Sequence, residues 1–347
     1  MANYSPRLLA LFQKRIEGDD SLLSLARLKF EKCLMGAEMY AENIDELNWL
    51  FGFKPQSQSP VVVHLPRCID IQQDLDIQAI LDFARAFENR VYGYVVHDTK
   101  ALVDNFDQYV WAVRELDSQL NTMENRPYLF IEYAAGVELQ SFIDLFITIK
   151  DLQLTSACID IGHIGIWQIR KTYRQRHYDQ DICALHPAQP ELYHLMDDIE
   201  YAVNSGLKAV LYCVRALGIL KKPTHFHLHD GHPLSTVSPY GVSDHLSFFQ
   251  EIPIPFEYRG SRVVRPMFQP NGLKQIIRQA LASFPSHAMS FTLEIHPSWD
   301  KIPLHNVGWL FEHWIDKTNA ELMNAWLLTL CRNFDLLEQA VAEATLR

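Results

Sequence analysis

The sequence predicts an α/β fold in which strand–helix units repeat and close into a (β/α)8 barrel. Three observations carry this. From residue 61 onward, short β-branched apolar runs alternate with longer amphipathic stretches, the pattern of βαβ units and a parallel sheet. Four of these runs end on His64, His97, Glu132 and Asp160, spaced 33, 35 and 28 residues apart, and one βα unit takes about 30 residues. Two further strand ends, His227 and Glu294, follow at intervals of 67 residues each, so each long interval holds either an extra unit or a large insertion. The total is close to eight units, which favours a closed barrel over an open sheet. No Gly-rich phosphate loop follows any strand, which counts against a nucleotide-binding doubly wound fold.

In chain order, residues 6–53 read as helical. Leu8, Leu9, Leu11 and Phe12 lie near helical spacing, a second pattern runs from Leu22 to Phe30 after Asp19-Asp20-Ser21, and a third contains Ile44, Leu47, Trp49 and Leu50. A loop over 54–60 then punctuates the chain. Strands are expected at 61–64, 91–97, 128–133 and 156–161, with helices over 76–87, 102–120 and 137–152 between and after them. Residues 164–224 are less regular and end in a helix from Leu192 to about Gly218. Residues 231–270 read as a long loop with one short strand near Ile252–Phe256. A helix over 273–284, the strand Ser290–Glu294 and a helical tail over 304–346 complete the chain. The expected organisation is an N-terminal helical segment (1–55) followed by a metal-binding barrel with C-terminal helices (56–347).

The 347 residues are 48% hydrophobic and 21% charged, enough to bury a large core. The formal net charge of −11 counts against a nucleic-acid surface. Six cysteines without a CxxC pair suit reduced thiols in a cytoplasmic protein. No stretch approaches a membrane span or a secretory signal.

In a parallel barrel the C-terminal strand ends converge on one face. Glu132, Asp160, His227 and Glu294 would then meet as three carboxylates and an imidazole. Carboxylates gathered so closely repel one another without a cation, and a mixed O/N set suits Mn, Co, Mg or Zn. A divalent metal is therefore the expected cofactor.

Phe130-Ile-Glu132, Cys158-Ile-Asp160-Ile-Gly-His163, His225-Phe-His227-Leu-His229-Asp230, Asp244-His245-Leu and Leu293-Glu294 resemble the xylose-isomerase-like TIM barrels over roughly residues 60–300. That superfamily includes sugar and sugar-phosphate isomerases and epimerases, and endonuclease IV. The resemblance implies a single-metal set of Glu132, Asp160, His227 and Glu294, with His163 beside the metal and Glu132 and Glu294 as catalytic base and acid. Such an enzyme moves a proton α to a carbonyl through a metal-stabilised enediolate. The substrate would be a small carbohydrate. The alternative within the same superfamily is a multi-zinc phosphodiester hydrolase. There His64, His97, Glu132, Asp160, His163, His227, Asp244, His245 and Glu294 would hold three ions. Asp244 and His245 are adjacent here, whereas the endonuclease pattern has one residue between them. A non-catalytic barrel with vestigial ligands is the third reading.

His229 and Asp230 are further candidates for substrate or metal contact, while His225 lies deeper and reads as a core histidine. Arg170 and Arg174, with Lys171 and Arg176, form either a substrate-phosphate site or a solvated helix face. The C-terminal segment rich in Trp could pack on the barrel or on a second subunit of a homo-oligomer.

Overall fold

The computed structural model describes residues 6–12, 36–53, 61–185, 190–235, 245–258, 261–295 and 320–346. The strands are β1 (Arg7–Phe12), β2 (Gly36–Tyr40), β3 (Val61–His64), β4 (Gly93–His97), β5 (Tyr128–Glu132), β6 (Thr155–Asp160) and β7 (Thr224–Leu228). After them, β8 (Ile252–Tyr258) and β9 (Ser261–Val264) form a separate antiparallel pair, and β10 (Met289–Leu293) returns to the main sheet. The order β1-β10-β7-β6-β5-β4-β3-β2 closes on itself as an eight-stranded parallel barrel, with β1 paired to both β10 and β2. The fold is an α/β (β/α)8 TIM barrel.

The chain divides into two compact units: Met1–Asp160, Arg215–His227 and Ala282–Leu293 form the first, and Ile161–Val214, Leu228–Leu281 and Glu294–Arg347 the second. The barrel strands belong to the first, apart from Leu228 at the end of β7. Their apolar runs, such as Val61-Val62-Val63 and Leu129-Phe130-Ile131, are buried throughout, as parallel strands covered on both faces require. Leu9, Val62, Val95, Phe130 and Cys158 form one buried cluster, with Tyr92 and Tyr128 packed against it. Gly93 makes room for this layer, because a Cβ there would stand 2.6 Å from the Phe130 ring.

Helices α1 (Ile44–Phe53), α2 (Asp74–Ala86), α3 (Ala101–Asp104), α4 (Phe106–Leu120) and α5 (Leu139–Thr148) lie in the first unit. Helix α2 buries Ile77, Ile80, Leu81 and Ala84 on one face. The second unit contains α6 (Ile161–Arg174), most of α7 (Leu192–Gly218), the β8–β9 pair, most of α8 (Gln269–Ser283) and α9 (Ala320–Thr345). Within it the backbone N–H of Phe248 donates to Asn333 Oδ1 at 3.1 Å, tying α9 to a loop.

One expectation needs correction. Residues 1–55 are not a separate helical segment: β1 and β2 lie there and complete the barrel. The third expected helix is present as α1, and the second lies outside the described residues. Leu, Ala, Met and Glu in these strands are good helix formers, and pairing with β10 and β3 overrides that preference. The long intervals before His227 and Glu294 are insertions, since the described residues there hold α6 and α7, and the β8–β9 pair, rather than a barrel strand. The C-terminal helix is present as α9, while residues 304–319 lie outside the described residues. Among the described residues no helix is long and apolar enough to cross a membrane. Among the described residues Cys68, Cys158, Cys183, Cys213 and Cys331 form no disulfide.

Candidate metal centre

Strands β3 to β6 end on His64, His97, Glu132 and Asp160, and His227 is the fourth residue of β7. Register brings them together: His97 pairs with Glu132, and Asp160 with His227. Glu132 is central. Its Oε2 stands 3.0 Å from His64 Nε2 and 3.4 Å from His97 Nε2, while Oε1 stands 3.5 Å from His227 Nδ1. His227 Nδ1 is also 3.8 Å from Asp160 Oδ2. Glu132, Asp160 and His227 are buried, with at most 1% exposure. Burial alone would push the Glu132 carboxyl up; the His97 and His227 imidazoles override it and hold it well below the usual range.

Backbone and side-chain partners set which ring nitrogens face this group. His64 Nδ1–H donates to the Leu65 carbonyl at 3.0 Å, which turns Nε2 toward Glu132. His227 Nε2–H donates to Glu38 Oε1 at 2.9 Å, which turns Nδ1 toward Glu132 and Asp160. Glu38, fully buried on β2, is the functional residue that sequence reasoning missed, because its strand was read as helix. A lone carboxylate inside Gly36-Ala-Glu38-Met-Tyr40 was the available signal. Asp98 supports the segment after Glu132: its Oδ1 accepts from the N–H groups of Ala134 and Ala135 at 2.8 and 2.5 Å. Burial pushes the Asp98 carboxyl up to about 7.

The second unit holds a trio of buried imidazoles. His163 sits in the first turn of α6, His229 follows β7, and His245 adopts a left-handed backbone with φ 47°. Ring centroids are 4.3 Å apart for His229–His245, 5.6 Å for His163–His229 and 5.8 Å for His163–His245. His229 Nδ1–H donates to the Asp230 carbonyl at 3.0 Å and His245 Nδ1–H to the Glu294 carbonyl at 3.1 Å, so Nε2 is the nitrogen by which each ring could ligate a metal. Gly162 permits the trio, since a Cβ there would lie 1.9 Å from the His229 ring. Glu294 follows β10 directly, and its Oε2 stands 3.7 Å from His245 Nδ1.

Other candidates have different roles. Asp230 is structural: Oδ1 accepts from the N–H groups of Gly231 and Phe268 at 2.8 and 3.0 Å, and Oδ2 from Gln269 at 2.7 Å, fastening the start of α8. Arg174 Nη2 binds Asp181 Oδ2 at 2.5 Å, and Arg170 binds the same carboxylate through Nε at 3.1 Å and through Nη2. These two guanidinium groups of α6 therefore pair with Asp181 in the segment that follows the helix, and Arg170 is largely buried rather than part of a solvated face. Asp244 lies outside the described residues. His225 is buried inside the barrel, as expected of a core histidine, but binds Glu38.

The donor set fits a divalent metal. Donor atoms at neighbouring corners of a tetrahedron with bonds of about 2.1 Å are separated by roughly 3.4 Å, close to the Glu132–His97 and Glu132–His227 spacings. In the first unit, His64, His97 and Glu132 form one group able to hold an ion, and Glu38, His64 and His227 another; the trio His163, His229 and His245 is a third, in the second unit. Such buried mixed imidazole and carboxylate groups match Zn, Mn or Co chemistry. Comparison with protein-family models and with curated protein sequences returns no match.

Proposed function

We propose that this chain is a metal-dependent enzyme of the xylose-isomerase-like superfamily that takes more than one cation and hydrolyses a phosphate ester. The observation that carries this reading is the position of Glu132. Its two oxygens face different donors, Oε2 toward His64 and His97, and Oε1 toward His227. A carboxylate so placed suits a bridge between two ions rather than a ligand of one. The imidazole trio offers a further all-nitrogen set. Cations held by these residues would supply Lewis acidity toward a phosphoryl oxygen and a bound water acidic enough to ionise near neutral pH. Glu132, Asp160 and His227 would fix the ions and position the attacking water. The net charge of −11 favours a small phosphate ester over a nucleic acid.

The single-metal isomerase or epimerase is the second reading, supported by the carboxylate-rich combination of Glu132 and Asp160 with His227. In it a carboxylate, Glu132 of the first unit, exchanges a proton with a carbon next to a carbonyl.

Elemental analysis of protein purified without chelator separates the two. We expect about two or three zinc, manganese or cobalt ions per chain, loss of more than one in Glu132→Gln, and metal-dependent cleavage of bis(p-nitrophenyl) phosphate. A single ion per chain together with interconversion of ketose epimers would overturn the hydrolase in favour of the isomerase. No bound ion after reconstitution would sink both.

A further inference from the structure

We propose that Glu38 is a positioning residue for the metal centre: it holds His227 in the Nε2–H form and thereby presents the Nδ1 lone pair to the space beside Glu132 and Asp160. The inference rests on the reading that these residues hold a cation. Glu38 projects from β2 into the barrel and is fully buried, as are His225 and His227. The ordinary occupant of such a position is a branched apolar side chain, and a buried carboxylate is costly unless hydrogen bonds compensate it. Here both oxygens are engaged. Oε1 accepts Nε2–H of His227 at 2.9 Å, and Oε2 accepts Nε2–H of His225 at 3.0 Å.

An ionised carboxylate only accepts, so both rings must carry their proton on Nε2. For His225 the consequence is visible on its far side: Nδ1 lies 2.7 Å from the Ser290 hydroxyl, which donates to it. For His227 the same logic leaves Nδ1 as the lone-pair nitrogen, 3.5 Å from Glu132 Oε1 and 3.8 Å from Asp160 Oδ2. A carboxylate behind a ligating imidazole fixes its tautomer and raises its basicity. The second imidazole has its own part. His225, held by Ser290, occupies one Glu38 oxygen and so orients the other toward His227.

Substitution by Gln breaks this arrangement without changing shape. The amide oxygen can accept from one ring, but the amide nitrogen donates to the other, whose Nε2 must then lose its proton. Three measurements test the assignment. Long-range 1H–15N NMR of 15N-histidine-labelled, metal-free wild type, recorded at a pH where the ring is neutral, should show His227 protonated on Nε2 and bare on Nδ1, with the resonance assigned by its absence in His227→Gln. Competition with a zinc chelator should show Glu38→Gln weakened about 10–100-fold. Glu38→Asp, tested alongside, should recover part of that loss. A neutral His227 carrying its proton on Nδ1 in wild type overturns the proposal, and this result needs no variant to fold. A folded Glu38→Gln that binds zinc as tightly as wild type also overturns it, while leaving the metal centre standing. Wild type that takes up no zinc overturns the metal centre itself.

Discussion

Gly162 shows how one side chain, or its lack, can decide a site. The imidazole of His229 occupies the space where a Cβ at position 162 would fall, 1.9 Å from Cε1. Nothing short of moving the ring admits a methyl group. We expect Gly162→Ala to displace His229 from His163 and His245 and to cost about 1–3 kcal/mol of stability by overpacking. The bound-metal count should fall by about one per chain while far-ultraviolet circular dichroism stays native. Full metal content in this variant would show that the trio does not bind an ion. Glu132 acts by the opposite means, through the number of partners its two oxygens find.

Elements are joined by a few buried polar contacts as well as by apolar faces. Helix α4 carries Asp117 among Tyr109, Val113, Leu116 and Leu120 on its buried side. Its Oδ1 accepts from Leu154 N–H at 3.0 Å, Thr155 N–H at 2.7 Å and the Thr155 hydroxyl at 2.8 Å. One helix residue thus fixes where β6 begins, and β6 ends on Asp160. Asp117→Ala would leave three buried donors without this acceptor, a loss of about 2–4 kcal/mol. Urea unfolding should show a lower midpoint with an unchanged slope. A midpoint equal to wild type would mean that water replaces the carboxylate at no cost.

At the scale of the molecule, closure is what makes the barrel a barrel. β1 pairs with β10 on one side and β2 on the other, so the first forty residues supply both strands that complete the ring. Removing them would expose the open edges of β3 and β10, and β2 would no longer carry Glu38. Exposed edges pair with other chains. Residues 41–347 expressed alone should therefore aggregate, whereas a removable helical segment would leave a folded remainder. A soluble, monomeric fragment with native circular dichroism would count against the closing role.

The strand ends His64, His97, Glu132 and Asp160 were legible in the sequence because their signal is local: an apolar run, a polar residue and a regular interval. His227 was legible as one of several alternating histidines, and the His163 and His245 motifs were also visible. From these the barrel class and a metal-binding donor set both follow. Other features depend on partners distant in the chain. Arg7-Leu-Leu-Ala-Leu-Phe12 has no strand pattern of its own and becomes one by pairing with residues 290–293. Glu38 acquires its meaning from His225 and His227, more than 180 residues away. Asp230 looks like a ligand until Phe268 and Gln269 donate to it, and Arg170 and Arg174 look like a phosphate site until Asp181 takes both. Residue type and spacing determined which chemical groups stand at the strand ends. Only tertiary structure decided which of them face one another, because hydrogen-bond and ion-pair partners are chosen by proximity in space rather than along the chain.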